Sequence, residues 1–131
     1  MTHRFPVRVY YEDTDLAGIV YYANYLKFIE RGRSEWVRDL GVDQAALKAE
    51  HDIVFAVRRV VADYLSSAHY DDKLIVETDL KAVTPARVVL SQRVMRGEEA
   101  LFAAEVTLVV LGPAGRSIRL PAEFRRALGA Q

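Results

Sequence analysis

Residues 22–41 read YANYLKFIERGRSEWVRDLG, and this stretch decides the fold of the 131-residue chain. Leu26, Ile29, Arg33, Trp36, Val37 and Leu40 recur at offsets of three and four, which predicts one face of a long helix over 22–40. Arg33 alone breaks the stripe, and its aliphatic stem can lie along the boundary of an apolar face. Lys27, Glu30, Arg31, Glu35 and Arg38 occupy the other faces, and Gly41 is a natural stop. Tyr25 and Phe28 add apolar surface on a second side, so the helix is expected to be largely enclosed. Gly32 in mid-helix costs about 1 kcal/mol relative to Ala, and predicts a close neighbour behind it.

Outward from the helix the chain reads as extended. Phe5, Val7, Val9 and Tyr11 alternate with Pro6, Arg8, Tyr10 and Glu12, a period of two that predicts a strand over 5–11. Downstream, Asp43 is placed to cap a short helix over 43–50. Strands are expected over 53–63, 73–83, 87–95 and 101–111, the last two joined by a hairpin turn at Arg96-Gly97-Glu98-Glu99. Gly112-Pro113-Ala114-Gly115 forms another turn, and a closing helix is expected over 121–128 with Pro at its start. One long helix beside about five strands, mostly antiparallel by their short connections, is an α+β architecture with the sheet wrapped on the helix.

Composition narrows the function. Apolar residues make up 51% and charged residues 27%, ordinary values for a globular protein, and the length suits one domain spanning 1–131. The absence of cysteine excludes a disulfide framework, a thiolate nucleophile and a Cys-based metal site. The three histidines lack metal-ligand spacing, so no metal is expected. Lys+Arg 18 balances Asp+Glu 18, which disfavours nucleic acid as a partner and does little to oppose self-association. The opening Met1–Pro6 has no apolar leader, and the longest apolar run is far short of a membrane span. These features predict a soluble, cytoplasmic protein.

Residues 10–25, YYEDTDLAGIVYYANY, pack three carboxylates and five tyrosines into a strand-to-helix junction. The first turn of a helix offers unpaired amides and the positive end of the dipole, which together can hold an oxyanion. A carboxylate on the preceding loop can then act as nucleophile or general base on an activated acyl group such as a thioester. The same acids also serve as ordinary helix caps, and tyrosines at such a junction are ordinarily packing residues. Asp13 is read as a turn or cap residue. Ser66, Ser67 and His69 lack an orienting acid and are read as a turn.

Tyr11-Glu12-Asp13-Thr14-Asp15, Gly18-Ile19-Val20-Tyr21-Tyr22-Ala23-Asn24-Tyr25, Glu30-Arg31 and Arg33-Ser34-Glu35 together resemble the entry motif of the YbgC / 4-hydroxybenzoyl-CoA thioesterase family. Tyr70-Asp71-Asp72-Lys73-Leu74, Glu77-Thr78 and Leu120-Pro121 extend the resemblance over 5–128. It implies a hotdog fold, a long central helix wrapped by a five- or six-stranded antiparallel sheet. It implies hydrolysis of short-chain or aromatic acyl-CoA thioesters, or their acyl carrier protein counterparts, with no cofactor, in a homodimer or homotetramer whose sites lie between subunits. Asp15 stands at the family's catalytic carboxylate, the Tyr22 amide at its oxyanion donor, and Tyr11 at a positioning tyrosine. Glu30 matches an acid near the acyl group in the hydroxybenzoyl branch. Arg58, Arg59, Lys81 and Arg87, with Arg116 and Arg119, are candidates for the phosphates of CoA. YbgC-type members carry His where this chain has Tyr22. A phenol ordinarily loses its proton near pH 10, so no imidazole-like base stands there and Asp15 carries more of the work. The rival expectation is a non-catalytic hotdog scaffold acting with lipid-synthesis or membrane-associated partners.

Overall fold

In the computed structural model, which describes residues 1–129, the long helix runs over Asn24–Asp39 (α1). The last two positions of the expected 1–131 domain lie outside the described residues. Around α1 the order is β1 (His3–Arg8), a 3₁₀ turn (Tyr11–Asp13), α1, α2 (Gln44–His51), β2 (Val54–Tyr64), β3 (Lys73–Val83), β4 (Val88–Arg96), β5 (Glu99–Leu111), β6 (Ser117–Ile118) and α3 (Ala122–Gly129). The strands form one six-stranded antiparallel sheet in the order β1-β3-β4-β5-β2, with β6 on the far part of β5. This is the α+β hotdog arrangement that the resemblance implies, with the sixth strand a two-residue addition that has no period to reveal it.

The face of α1 that meets the sheet differs from the expected stripe. Tyr25, Phe28, Ile29, Gly32, Trp36 and Val37 are buried, while Leu26 is 41% exposed. Gly32 decides the rotation. A Cβ built there would lie 2.5 Å from Val76 Cγ1 and 2.9 Å from Val76 Cβ, and Val76 is fully buried on β3. Only a residue without a side chain lets the helix approach so closely, so the glycine face turns inward and Leu26, a little more than one and a half turns away, turns outward. Gly32→Ala therefore gains about 1 kcal/mol of helix propensity but forces a methyl into packed core, at a cost of about 1–3 kcal/mol. The expected result is a melting temperature lowered by a few degrees, measured calorimetrically; a variant as stable as the parent would show that Val76 has room to give.

Two boundaries also move. β1 stops at Arg8 rather than Tyr11, because the Tyr10 amide donates to Asp13 Oδ2 (2.8 Å) and the Asp13 amide to the Tyr10 carbonyl (3.0 Å), which winds the chain into the 3₁₀ turn. Val9 still pairs beyond the strand, its amide on the Asp72 carbonyl and its carbonyl on the Asp71 amide. α1 begins at Asn24 rather than Tyr22, after a turn closed by the Asn24 amide on the Tyr21 carbonyl (2.8 Å). The expected strands and hairpin otherwise stand within a residue or two, with Gly97 at φ +59 in the tight turn between β4 and β5. Among the described residues no helix is long and apolar enough to cross a membrane.

Candidate functional site

The loop before α1 is built by carboxylates with different tasks. Asp13 is structural, as its turn reading expects. Its side chain holds the Tyr10 amide, and its carbonyl accepts from the Tyr21 amide (2.9 Å) and from Asn24 Nδ2 (2.9 Å). Asn24 is buried and so ties the first residue of α1 to the loop. Asp15 follows two residues later. Its Oδ1 accepts from the Ala17 amide (2.9 Å), its carbonyl from Gly18, and its amide donates to the Ile19 carbonyl. Gly18 sits at φ +79 to close that turn, and Thr14 bridges Val20 behind it. The main chain of Asp15 is thus fixed on both sides, and its exposed carboxylate is oriented by the one bond from Ala17, with Oδ2 hydrogen-bonded to nothing among the described residues.

Beside it stands the head of α1. Ala23 is the cap residue, and no side chain caps the helix. The amides of Tyr22 and Ala23 donate no hydrogen bond among the described residues. Uncapped amides at the positive end of a sixteen-residue helix can hold an anion. The Tyr22 amide therefore precedes the helix proper instead of lying inside its first turn, yet it belongs to the same uncapped end. Tyr21 and Tyr22 pack ring to ring at 4.9 Å. The Tyr21 phenol is pushed above its ordinary range, first by Tyr22 beside it and also by the charge of Asp15, which places that carboxylate in electrostatic range of the pair. Tyr11, mostly exposed, stacks on Tyr70 at 4.5 Å rather than pointing from the end of a strand.

A second loop, 65–72, supports the first. The Val20 amide donates to the Ala68 carbonyl (2.9 Å), the Ala68 amide to the buried Tyr25 hydroxyl (3.0 Å), and Ile19 bridges His69. Arg96 clamps the loop through the Ser67 carbonyl (3.2 Å) and Asp72 Oδ2 (2.9 Å). Partial burial pushes the Asp72 carboxyl up, but hydrogen bonds from the His69 amide and Arg96, with the Arg96 charge, outweigh it and hold the group below the ordinary carboxylate range. A carboxyl lowered in the folded state adds stability above its unfolded value, near pH 4, and loses it as pH falls through the folded value. Asp72→Asn is expected to melt lower than the parent at neutral pH, with the gap closing progressively below about pH 4. A gap unchanged down to pH 3 would remove the ion pair from the account. Ser66, Ser67 and His69 belong to this turn, and no Ser–His hydrogen bond forms among them.

The remaining sequence candidates scatter along the sheet and helix. Arg58 and Arg59 lie at a bulge in β2, where the register slips between Val57 and Arg59, and neither is in an ion pair among the described residues. Lys81, at the corresponding bulge of β3, is committed to Glu105 on β5. Arg87 closes the turn before β4 through its backbone, with its side chain exposed. Glu30 is exposed on α1, one turn from Arg33. Two tyrosines were not singled out from sequence. Tyr64 meets Tyr22 edge-on at 6.0 Å and Tyr25 at 5.7 Å, and Tyr70 covers Tyr11. Both come from distant segments, and only the fold brings them to the junction.

A long helix packed on a six-stranded antiparallel sheet is the architecture of the hotdog proteins. A family model described as thioesterase-like superfamily matches residues 9–128. The acyl-CoA thioesterase YbgC of Haemophilus influenzae is 42% identical over 125 residues, covering 94% of this chain and 91% of that protein. The acyl-CoA thioester hydrolase YbgC of Escherichia coli is 41% identical over 111 residues, 84% of this chain and 82% of that one. A crystal structure of a probable thioesterase from Bartonella henselae superposes with a TM-score of 0.88 at 35% identity, covering 92% of this chain and 100% of the other. The chain belongs to the thioesterase-like superfamily and, within it, to the YbgC family of acyl-CoA thioesterases.

Proposed function

We propose that this chain hydrolyses acyl-CoA thioesters, as a single hotdog domain, with Asp15 as the catalytic carboxylate and the uncapped amides at the head of α1, that of Tyr22 first, as oxyanion donors. The observation that carries the reading is the pairing of those free amides with a backbone-oriented acid. The thioester carbonyl oxygen rests on the amides. Asp15 takes a proton from water as the new C–O bond forms, or attacks the carbonyl carbon itself and is released by water afterwards. The negative charge gathers on the oxygen held by the amides, the C–S bond breaks, and the CoA sulfur leaves as thiol. Tyr11, stacked on Tyr70, borders the site.

Within one protomer Asp15, Tyr21, Tyr22 and a wholly exposed Leu16 have no roof. A second copy paired along the free edge of β2 supplies it, which makes the working unit a homodimer, open to further pairing into a tetramer. Arg58 and Arg59, unpaired on that edge, and Arg87 are the cations offered to CoA phosphates, whereas Lys81 is already neutralised by Glu105. The same chemistry extends to acyl carrier protein thioesters.

The direct test is release of free thiol by purified protein from a panel of short-chain and aromatic acyl-CoA thioesters. Hydrolysis of at least one class is expected. A protein that releases no thiol from any of them, but retains a lipid-synthesis partner on affinity capture, would be the scaffold.

A further inference from the structure

The turn that carries Asp15 is a small hairpin, in which Thr14 bridges Val20 and the Asp15 amide donates to the Ile19 carbonyl (3.0 Å). Its base is tied to the start of α1, where the Asp13 carbonyl accepts from the Tyr21 amide (2.9 Å) and from Asn24 Nδ2 (2.9 Å). Its outer arm leans on the second loop. The Val20 amide donates to the Ala68 carbonyl (2.9 Å), and Ile19 bridges His69. Ala68 is fully buried, and its own amide donates to the Tyr25 hydroxyl (3.0 Å), its one acceptor among the described residues. Tyr25 is the second residue of α1.

The hydroxyl stands at a fixed point. The Tyr25 ring is buried, stacked on Phe102 at 5.1 Å and met edge-on by Phe28 at 6.0 Å and by Tyr64 at 5.7 Å. Burial pushes the phenol above its ordinary range, against the opposite pull of the Ala68 amide and the Arg96 charge, so it keeps its proton and acts by holding rather than by proton transfer. A hairpin held only at its base can swing toward or away from the helix. A contact on its outer arm stops that motion. The Tyr25 hydroxyl anchors this contact to the helix through the backbone of a single residue, Ala68. Without an acceptor the Ala68 amide is a buried, unpaired donor, so the arm has reason to shift.

Resting on the thioesterase reading, we propose that Tyr25 is a positioning residue of the reaction: its hydroxyl, through Ala68, fixes the Asp15 hairpin against the helix whose head supplies the oxyanion amides. The acid and the amides belong to different elements, so their spacing depends on what joins those elements. A displacement of about 1 Å between reacting groups can cost up to about a hundredfold in rate. The hydroxyl itself is committed to Ala68 and takes no part in bond making or breaking.

The test is Tyr25→Phe, which keeps the ring and removes only the acceptor. The expected result is a kcat for thiol release lowered about tenfold or more, with KM little changed. In an Asp15→Asn background the same substitution costs less than about twofold, because no carboxylate is left to aim. A loss of stability alone would act equally in both backgrounds. An unchanged kcat, a full loss repeated in the Asp15→Asn background, or a variant without native circular dichroism would overturn the proposal, the last by making the hydroxyl a group needed for folding. If the parent releases no thiol, the hydrolytic reading fails by itself, and hydrogen exchange still decides the tie. The Val20 amide is expected to exchange at least about tenfold faster in Tyr25→Phe while the amides of β4 keep the parent's rates. A Val20 rate that does not change, or that rises only in step with β4, would show that the hydroxyl does not hold the hairpin.

Discussion

Asp15→Asn lowers the rate of thiol release at saturating acyl-CoA by at least about a hundredfold, the loss expected when a general base or nucleophile becomes a neutral amide. The substitution is nearly isosteric, and the Asn side-chain oxygen can still accept from the Ala17 amide that holds Asp15 Oδ1 in place. The turn through Gly18 and the bridge between Thr14 and Val20 use backbone, so they persist. The variant is therefore expected to melt close to the parent while KM changes little, a split that separates lost chemistry from lost folding. Asp13→Asn is the control. Its oxygen holds the Tyr10 amide in the 3₁₀ turn and has no place in the reaction, so its main effect is on stability. If Asp15→Asn turns over acyl-CoA as fast as the parent, the carboxylate is only a turn residue and the reactive group lies elsewhere.

The contrast between these two acids shows what the sequence could and could not disclose. Both precede a helix, and both are turn formers. Spacing alone leaves capping and chemistry open for each, and the length and order of the family motif is what singles out Asp15. Coordinates then supply what neither spacing nor motif contains: each carboxylate accepts one backbone amide, but Asp13 is half-buried and also ties Tyr21 and Asn24 to the loop through its carbonyl, whereas Asp15 is exposed on the turn that leads to amides no side chain caps. The long helix was legible because its period persists over five turns. Its rotation was misread at Leu26 because apolar residues occur on two sides, and period alone weights them equally. Gly32 carried the missing information, since a glycine that costs helix propensity is tolerated where another element presses close, here Val76. The place of Arg33 at the edge of the apolar stripe was legible, but its core partner was not. That contact depends on Gln92 and Thr78, residues from β4 and β3 that meet the helix only in the finished sheet. Tyr64 was silent for the same reason, and Tyr70 stood in a quoted motif with nothing to show that it covers Tyr11.

The edge of β2 carries the second large expected effect. Val57→Glu combined with Val61→Glu converts the protein to a monomer in light scattering and reduces thiol release by about a hundredfold or more, on the scale of losing a positioned catalytic group. β2 is eleven residues long and, among the described residues, pairs only with β5 and leaves its other edge free. Val54, Val57, Val60, Val61 and Tyr64 are all substantially exposed along it. Long apolar edge strands invite pairing with another chain, and proteins that stay monomeric usually guard them with charge, proline or short length. Here Arg58 and Arg59 interrupt the run at one bulge and Asp63 near its end, and the zero net charge raises no long-range barrier to a second copy. Val57 and Val61 are each nearly half exposed in the single chain, so acids at these positions are solvated in the monomer and cost it little. In a paired edge the same acids are taken out of water into an apolar contact, where an unpaired charge is costly. Circular dichroism and melting temperature near the parent's would confirm that only association has changed. The activity then follows association, because Asp15, Leu16 and the exposed tyrosines at the head of α1 have no cover within one protomer, and a thioester bound there in open water would gain little from amides competing with solvent. A parent already monomeric, or a monomeric variant with full activity, would place the whole site within a single chain.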